Sequence, residues 1–234
     1  MESELIRGGC LCWRIIMLIK LTRKMKEPVN TWTHFVTFIA AIVGLIFLIT
    51  ETRNSTSKLI TMVIYGISLI LLYGGSSLYH WWKTTPRRTM ALKKIDHVAI
   101  YLLIAGSYTP VFYYGLGGAW KWAMLVAVWA LALTGIFLKI WFIDAPRYVS
   151  TVFYLTLGWI ALVPFVQLFQ NLPLGAVIYM IMGGVAYTVG AVIYATKIFN
   201  FRPGSFGFHE VFHLFVVAGS VLHYIMMVRY IVPL

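Results

Sequence analysis

The residues of this sequence that could do chemistry are polar groups within or beside long apolar segments. They comprise six histidines, at positions 34, 80, 97, 209, 213 and 223, and two acids next to histidines, Asp96 and Glu210. An ionisable side chain costs free energy inside a bilayer, so each of these residues is a candidate for function.

Two of the histidines have the spacing of metal ligands. In His209-Glu-Val-Phe-His213 the imidazoles are four residues apart, so on a helix they lie on one face, about 6 Å from each other. His80, at the end of another apolar segment, can supply a third nitrogen. Three protein ligands and one water are the usual arrangement of catalytic zinc, so His80, His209 and His213 predict a Zn²⁺ site.

Asp96 and Ser76 are the predicted catalytic residues. Ser76 lies one helical turn before His80, and Asp96 begins the segment after it. Both can hydrogen-bond to a zinc-bound water, and a carboxylate there favours the deprotonated form of that water.

Other interpretations of these residues are open. His209-Glu210-x-x-His213 also matches the metalloprotease helix, in which the glutamate is the general base, although Glu210 lies about 100° round the helix from His209. His97 and His223 are more typical of hydrogen bonds between helices, and His34 of packing beside the site. His223 would lie about 15 Å deeper than His213, too far to share a metal.

The composition decides what kind of protein positions these residues. Of 234 residues, 61% are hydrophobic and only 11% charged, whereas soluble domains carry about 25% charged residues. An integral membrane protein is predicted and a soluble enzyme excluded. The net charge of +12 is spread over short segments between the apolar ones, so no nucleic-acid partner is expected.

Seven segments are long and apolar enough to span a membrane as helices. Pro110 and Pro164 fall inside two of them, where prolines are tolerated as kinks. Gly183, Gly184 and Gly190 are typical of close helix packing. The predicted fold is an all-α membrane protein with seven transmembrane helices, at about 31–50, 59–82, 95–115, 119–141, 149–170, 174–197 and 207–231.

The distribution of basic residues predicts the orientation of the chain. With seven spans, only Arg53, Lys58, Lys121 and Arg229 of the 19 lysines and arginines fall on the side opposite the N-terminus. Loops rich in lysine and arginine stay in the cytoplasm. We therefore expect a cytoplasmic N-terminus, an external C-terminus and a zinc site near the cytoplasmic face of a plasma-membrane protein.

Residues 1–26 form a basic cytoplasmic tail and residues 27–234 the transmembrane domain in this interpretation. The tail contains the only cysteines, Cys10 and Cys12, which are expected to be free thiols. Its short apolar stretch is compatible with an interfacial segment, and an alternative is that the natural protein starts at Met25.

Four groups of residues resemble the motifs of the hemolysin III family, the bacterial branch of the progestin and adipoQ receptor family. They are Glu27-Pro-Val-Asn30-Thr-Trp32-Thr-His34, Ser76-Ser-Leu-Tyr-His80, Lys94-Ile-Asp96 with Gly106-Ser-Tyr-Thr-Pro110, and His209-Glu-Val-Phe-His213. The resemblance extends from residue 27 to about 225. It implies seven helices with the N-terminus inside and a zinc held by His80, His209 and His213, with Asp96 and Ser76 around its water. The wider superfamily includes alkaline ceramidases, which hydrolyse a lipid amide.

Three functions are compatible with these residues. The first is a zinc-dependent hydrolase that acts on an amide or ester of a membrane lipid, for example a ceramide-like lipid. The alternatives are a cytolytic, pore-forming protein and a non-catalytic regulator of membrane homeostasis in which zinc only joins two helices. The lipid and the oligomeric state are not given by the sequence.

Overall fold

The structure is a computed structural model that describes residues 25–202 and 206–234. Predictions about the N-terminal tail, including Cys10, Cys12 and the interfacial segment, lie outside the described residues. The division into a tail and a transmembrane domain stays a prediction.

Helices form the regular structure of the described residues, apart from one isolated bridge between Arg202 and Phe206. Pro28 and Pro86 each begin a helix, where a missing backbone N–H costs little. In chain order the helices are α1 (Pro28–Thr52), α2 (Thr56–Trp81), α3 (Pro86–Gly115), α4 (Gly118–Trp141), α5 (Arg147–Gly158) with a 3₁₀ turn (Ile160–Leu162), α6 (Phe165–Asn171), α7 (Leu174–Thr196), and α8 (Phe208–Met226) with a π-helical end (Met227–Ile231).

Six of the helices are long and apolar enough to cross a membrane singly. The predicted fifth span, 149–170, is not one straight helix: Tyr148–Leu162 and Phe165–Asn171 meet at 52°. Pro164 lies at this break. A proline breaks a helix because it has no N–H to donate and its ring clashes with the carbonyl four residues earlier. The described chain thus has six spanning helices, or seven if the bent pair forms one span.

The outer surface of the bundle is apolar. Val36, Val126 and Val166 expose between 63% and 68% of their area, and many other large apolar side chains are also exposed. Contiguous apolar surface of this extent is unfavourable in water and favourable in lipid. The chain is therefore a multi-pass membrane protein.

Glycines allow α7 and α8 to approach each other closely. A Cβ at Gly183 would overlap the ring of His223, and one at Gly190 would lie 2.9 Å from Phe215 Cβ. At Gly184 the nearest atom, on Trp159, would be 3.9 Å away, which is ordinary contact. The expected close packing is confirmed at Gly183 and Gly190, whereas Gly184 has room for a side chain.

Buried polar side chains gather at one end of the bundle. This is the end where α1 begins, α2 ends and α8 begins, and α1 packs against both of the other helices. Asn30, His34, Ser76, His80 and His213 are all buried there. Because the helices alternate in direction, α3 also begins, α4 ends and α5 begins at this end.

Candidate metal centre

Two helix ends bring the three predicted metal ligands together. His80 is the second-last residue of α2, while His209 and His213 occupy the first two turns of α8. The chain before α1 is attached to the end of α2, since Glu27 N donates to His80 O at 3.0 Å and Lys26 N to Trp81 O at 3.2 Å.

The ligand nitrogens of His80, His209 and His213 all lie within 4.8 Å of one another. Their ring centroids are 4.8 to 5.1 Å apart. One ion could be bound by all three after small ring rotations, because zinc binds histidine nitrogen at about 2.0–2.1 Å. Asp96 does not join this group, so a fourth coordination position is left for another ligand.

Two nitrogens of the group are buried without a hydrogen-bond partner among the described residues, His80 Nε2 and His213 Nδ1. His209 is half-buried. A buried polar atom with no partner costs free energy. A metal ion bound to these nitrogens would remove that cost, so the residues present fit the zinc ion that the sequence predicts.

Glu27 orients His80. Its Oε2 lies 2.7 Å from His80 Nδ1 and 3.7 Å from His209 Nδ1. Burial raises the pKa of the Glu27 carboxyl, but the hydrogen bond and charge of His80, together with the Asn30 amide, more than offset this and lower it to about 2. A carboxylate that accepts a hydrogen bond from one ring nitrogen fixes the tautomer of a metal-binding histidine and leaves the other nitrogen for the ion. In His80 the nitrogen next to the carboxylate is Nδ1.

Asn30 and Glu210 extend this network to α8. Asn30 Nδ2 donates to Glu27 Oε2 at 2.9 Å and to Glu210 Oε1 at 2.8 Å. Gly207 N donates to Glu210 Oε2 at 2.7 Å, which completes a capping box at the start of α8. Since both its oxygens bind these groups and it does not line the cavity beside the histidines, Glu210 does not have the position of a metalloprotease base.

Asp96 and Ser76, the predicted catalytic residues, line the same cavity as His209 and His213. Asp96 is half-buried in α3 and close enough to His80 for their charges to interact. Ser76 is buried one turn before His80, and its hydroxyl is close enough to the Asp96 carboxylate to interact with it. A carboxylate and a neighbouring hydroxyl therefore lie beside the three imidazoles.

The cavity has a volume of about 490 Å³, within the usual range of ligand pockets, about 300–1,000 Å³. Its lining on α8 extends from Phe208 to Met226, a length of roughly 27 Å at 1.5 Å per residue. Away from the histidines the wall is mainly apolar and comes from α3, α6, α7 and α8, as with Ile104, Val111, Phe165, Ile181 and Val216.

The other three histidines line this cavity outside the group of ligands. His34 stacks on His213, with ring centroids 3.8 Å apart. His97 Nδ1 lies 3.5 Å from Tyr154 Oη, and His223 Nε2 lies 3.3 Å from Met180 O. The expectation of packing for His34 and of interhelical hydrogen bonds for His97 and His223 is confirmed.

Sequence reasoning did not identify Glu27 and Asn30 as parts of the site. Both residues belong to the motif around Glu27-Pro28, but a glutamate before a proline is also an ordinary helix start. The signal that could have found them is the topology, since Glu27 and His80 fall at the same predicted membrane boundary.

Comparison with known proteins gives the family of the chain. The family model described as "Haemolysin-III related" matches residues 22–224. "Hemolysin-3" of Bacillus cereus is 33% identical over 219 residues, which cover 92% of this chain and 97% of the relative. "Hemolysin-3 homolog" of Bacillus subtilis (strain 168) is 35% identical over 210 residues, 88% and 95% of the two chains. "Adiponectin receptor protein" of Drosophila melanogaster is 26% identical over 217 residues, 85% of this chain and 49% of the relative. The family model and the two Bacillus relatives show that the chain belongs to the hemolysin III family.

Proposed function

We propose that this chain is a zinc-dependent hydrolase that cleaves an amide or ester bond of a membrane lipid. The observation that carries the proposal is the position of Asp96 and Ser76 beside three histidines with a free coordination position, at one end of a long apolar cavity. Structural zinc normally has four protein ligands, whereas catalytic zinc keeps one position open.

His80, His209 and His213 would hold the ion, and Glu27 would keep the ring of His80 in place. When bound, zinc lowers the pKa of a water from about 15.7 to about 7 and polarises a carbonyl oxygen. Imidazole ligands also suit other transition metals, so the identity of the metal belongs to the proposal.

Asp96 would act as base and then as acid. It accepts a proton from the attacking water while the hydroxyl group of that water adds to the carbonyl carbon. It then returns the proton to the leaving nitrogen or oxygen as the bond to carbon breaks. The Ser76 hydroxyl, which is buried beside Asp96, would orient the attacking water or the scissile carbonyl.

The apolar part of the cavity would hold an acyl chain. Such a chain extends through about one leaflet, roughly half of the 30 Å hydrocarbon core. The lining along α8 is longer than this, so the scissile bond can lie at the histidines while the chain extends towards His223.

The proposal includes an orientation in the plasma membrane. The N-terminus would be cytoplasmic and the C-terminus external, which puts the metal centre near the cytoplasmic face. The basic residues of the segments on the N-terminal side support this, because positively charged loops remain inside.

Metal content is the first test. Protein purified in detergent without chelators should contain about one zinc per chain by elemental mass spectrometry, since three histidines form one site. His209→Ala/His213→Ala should remove it, whereas His223→Ala, which changes a half-buried histidine of the same helix, should not. Intact protein without zinc would contradict the proposal.

Turnover is the second part of the test, with a ceramide that carries a fluorescent acyl chain as the first substrate. Asp96→Asn should keep the zinc and lower the rate by about 100-fold or more, the usual contribution of general acid–base catalysis. A rate unchanged by Asp96→Asn would overturn the assigned role. Leakage of vesicle contents that is insensitive to His209→Ala/His213→Ala would instead support the pore-forming alternative.

A further inference from the structure

Lys139 is a buried cation that the proposed hydrolysis does not use. It lies two residues before the end of α4, and only 6% of its area is exposed. Lysine is almost never buried to this extent unless its charge is paired, and within a membrane protein such a residue is a candidate for function.

Asp144 attracts Lys139 electrostatically, but among the described residues it forms no ion pair with it. Its Nζ donates to Ser150 Oγ at 2.9 Å and to Ile143 O at 3.4 Å, and both acceptors are uncharged. Within residues 25–202 and 206–234, no carboxylate oxygen lies within 4.0 Å of this Nζ. An ammonium has three N–H donors, so one donor remains for a ligand, and no ion pair of the described residues holds the charge.

A second lysine adds to the positive charge at this point. Lys93 lies on α3, close enough to Lys139 for the two charges to repel. Its acidic partner is Asp144, at 3.9 Å, but that carboxylate is 80% exposed. An ion pair of this kind contributes little. Two neighbouring ammonium groups repel each other, and the exposed Asp144 carboxylate, which acts on both, offsets this only in part, so a bound anion would be favourable here.

These groups open onto the cavity of the metal centre. Lys93, Lys139 and Ser150 all line it, at the bundle end where α3 begins, α4 ends and α5 begins. Ser150 Oγ accepts from Lys139, so its own O–H is available as a donor. The wall therefore offers two cations and one hydroxyl donor, the chemistry that recognises a phosphate or carboxylate group.

We propose that Lys139, Lys93 and Ser150 form an oxyanion site that selects an acidic lipid, whose phosphate or carboxylate binds here while its acyl chain occupies the cavity. This inference rests on the proposed function, because the lipid is taken to be the substrate. It names the class of lipid: an acyl lipid with an anionic group near its polar end. A free anion from the cytoplasm has the same chemistry, so the test separates the two sources.

Binding to purified protein in detergent tests the site without requiring turnover. The probes are oleoyl lysophosphatidate, the matching monoacylglycerol without phosphate, and inorganic phosphate. Intact protein should bind the phosphate lipid at least tenfold more tightly than the monoacylglycerol, and inorganic phosphate should not displace it at similar concentrations. Equal affinity for the two lipids, or displacement by equimolar inorganic phosphate, would overturn the inference.

Lys139→Met should lower the affinity for the phosphate lipid at least tenfold and leave monoacylglycerol binding unchanged, which also shows that the variant is folded. Lys139→Arg should keep most of the preference. Lys94→Met is the matched control, because Lys94 belongs to the same end of α3 but donates to Ile140 O and does not line the cavity. The site would be contradicted if Lys139→Met lowered the affinity for both lipids equally. It would also be contradicted if Lys94→Met lowered the affinity for the phosphate lipid as much as Lys139→Met does.

His209→Ala/His213→Ala separates this inference from the proposed function. If the variant keeps its preference for the phosphate lipid, the oxyanion site stands even where no hydrolysis is found. Should the intact enzyme hydrolyse neutral lipid amides as fast as acidic ones, the hydrolase would stand and the oxyanion site would fail.

Discussion

At the scale of single residues, the proposed metal centre depends on a side chain that would not touch the ion. Glu27 accepts from His80 Nδ1 at 2.7 Å and also lies near His209. Its carboxylate holds the His80 ring in one orientation and one tautomer. Changes to such outer partners typically lower metal affinity by about 10–100-fold.

Glu27→Gln should therefore weaken zinc binding by about 10–100-fold. The amide has nearly the same shape, but it lacks the negative charge that favours donation from His80 Nδ1. Competition between the protein and a zinc-binding dye measures the change. Glu51→Gln is the matched control, since Glu51 lies near the other end of α1 and is exposed. Equal zinc affinity in both variants would show that Glu27 does not support the ligand.

The site residues differ in how far the sequence could predict them. The histidines and Asp96 could be found because ionisable groups in apolar segments are conspicuous. Glu27 and Asn30 carry no such local signal, since their partners lie 53 and 180 residues away along the chain, and only the predicted topology brings Glu27 near His80. In the sequence, Lys139 is one of the basic residues on the N-terminal side that indicate orientation, and nothing in the sequence shows that it faces a cavity.

At the scale of helices, the deep part of the cavity depends on close packing of α7 against α8. His223 packs against Gly183, lies 3.3 Å from Met180 O and has its ring edge-to-face with Tyr187. These contacts restrict the ring, so it cannot move away easily from an added methyl group.

Gly183→Ala should destabilise the protein, by about 1–3 kcal/mol as in other overpacked interiors. The neighbouring Gly184→Ala is the control. Its methyl group would meet Trp159 at an ordinary 3.9 Å, and alanine favours the helix by up to about 1 kcal/mol over glycine. Thermal unfolding in detergent should thus separate the two variants in opposite directions. If the Gly183→Ala variant were as stable as the Gly184→Ala variant, α7 and α8 would be less tightly packed than the structure indicates.

The helices themselves could largely be predicted from apolar length. Five of the six single spanning helices both begin and end within about three residues of the predicted segments. The exception is α3, which begins at Pro86 instead of 95, because a helix can extend beyond its apolar part through charged residues such as Lys93 and Lys94. The break at Pro164 was expected as a kink, but its angle depends on how the two pieces pack against their neighbours.

At the scale of the whole molecule, the proposed orientation decides which compartment can supply water and metal to the site. The metal centre lies where α2 ends and α3 begins, and the loop between α1 and α2 lies at the opposite end of the bundle. The basic residues around 83–94 favour a cytoplasmic position for the site end.

Labelling of single cysteines in intact cells tests this orientation. In a Cys10→Ser/Cys12→Ser background, Asn54→Cys probes the loop between α1 and α2, and Thr84→Cys probes the loop beside the metal centre. A membrane-impermeant maleimide should label the Asn54→Cys protein in intact cells and the Thr84→Cys protein only after lysis. Labelling of both after lysis is the control for access. The reverse pattern would put the metal centre outside, where the hydrolase would take its metal and its lipid from the outer leaflet.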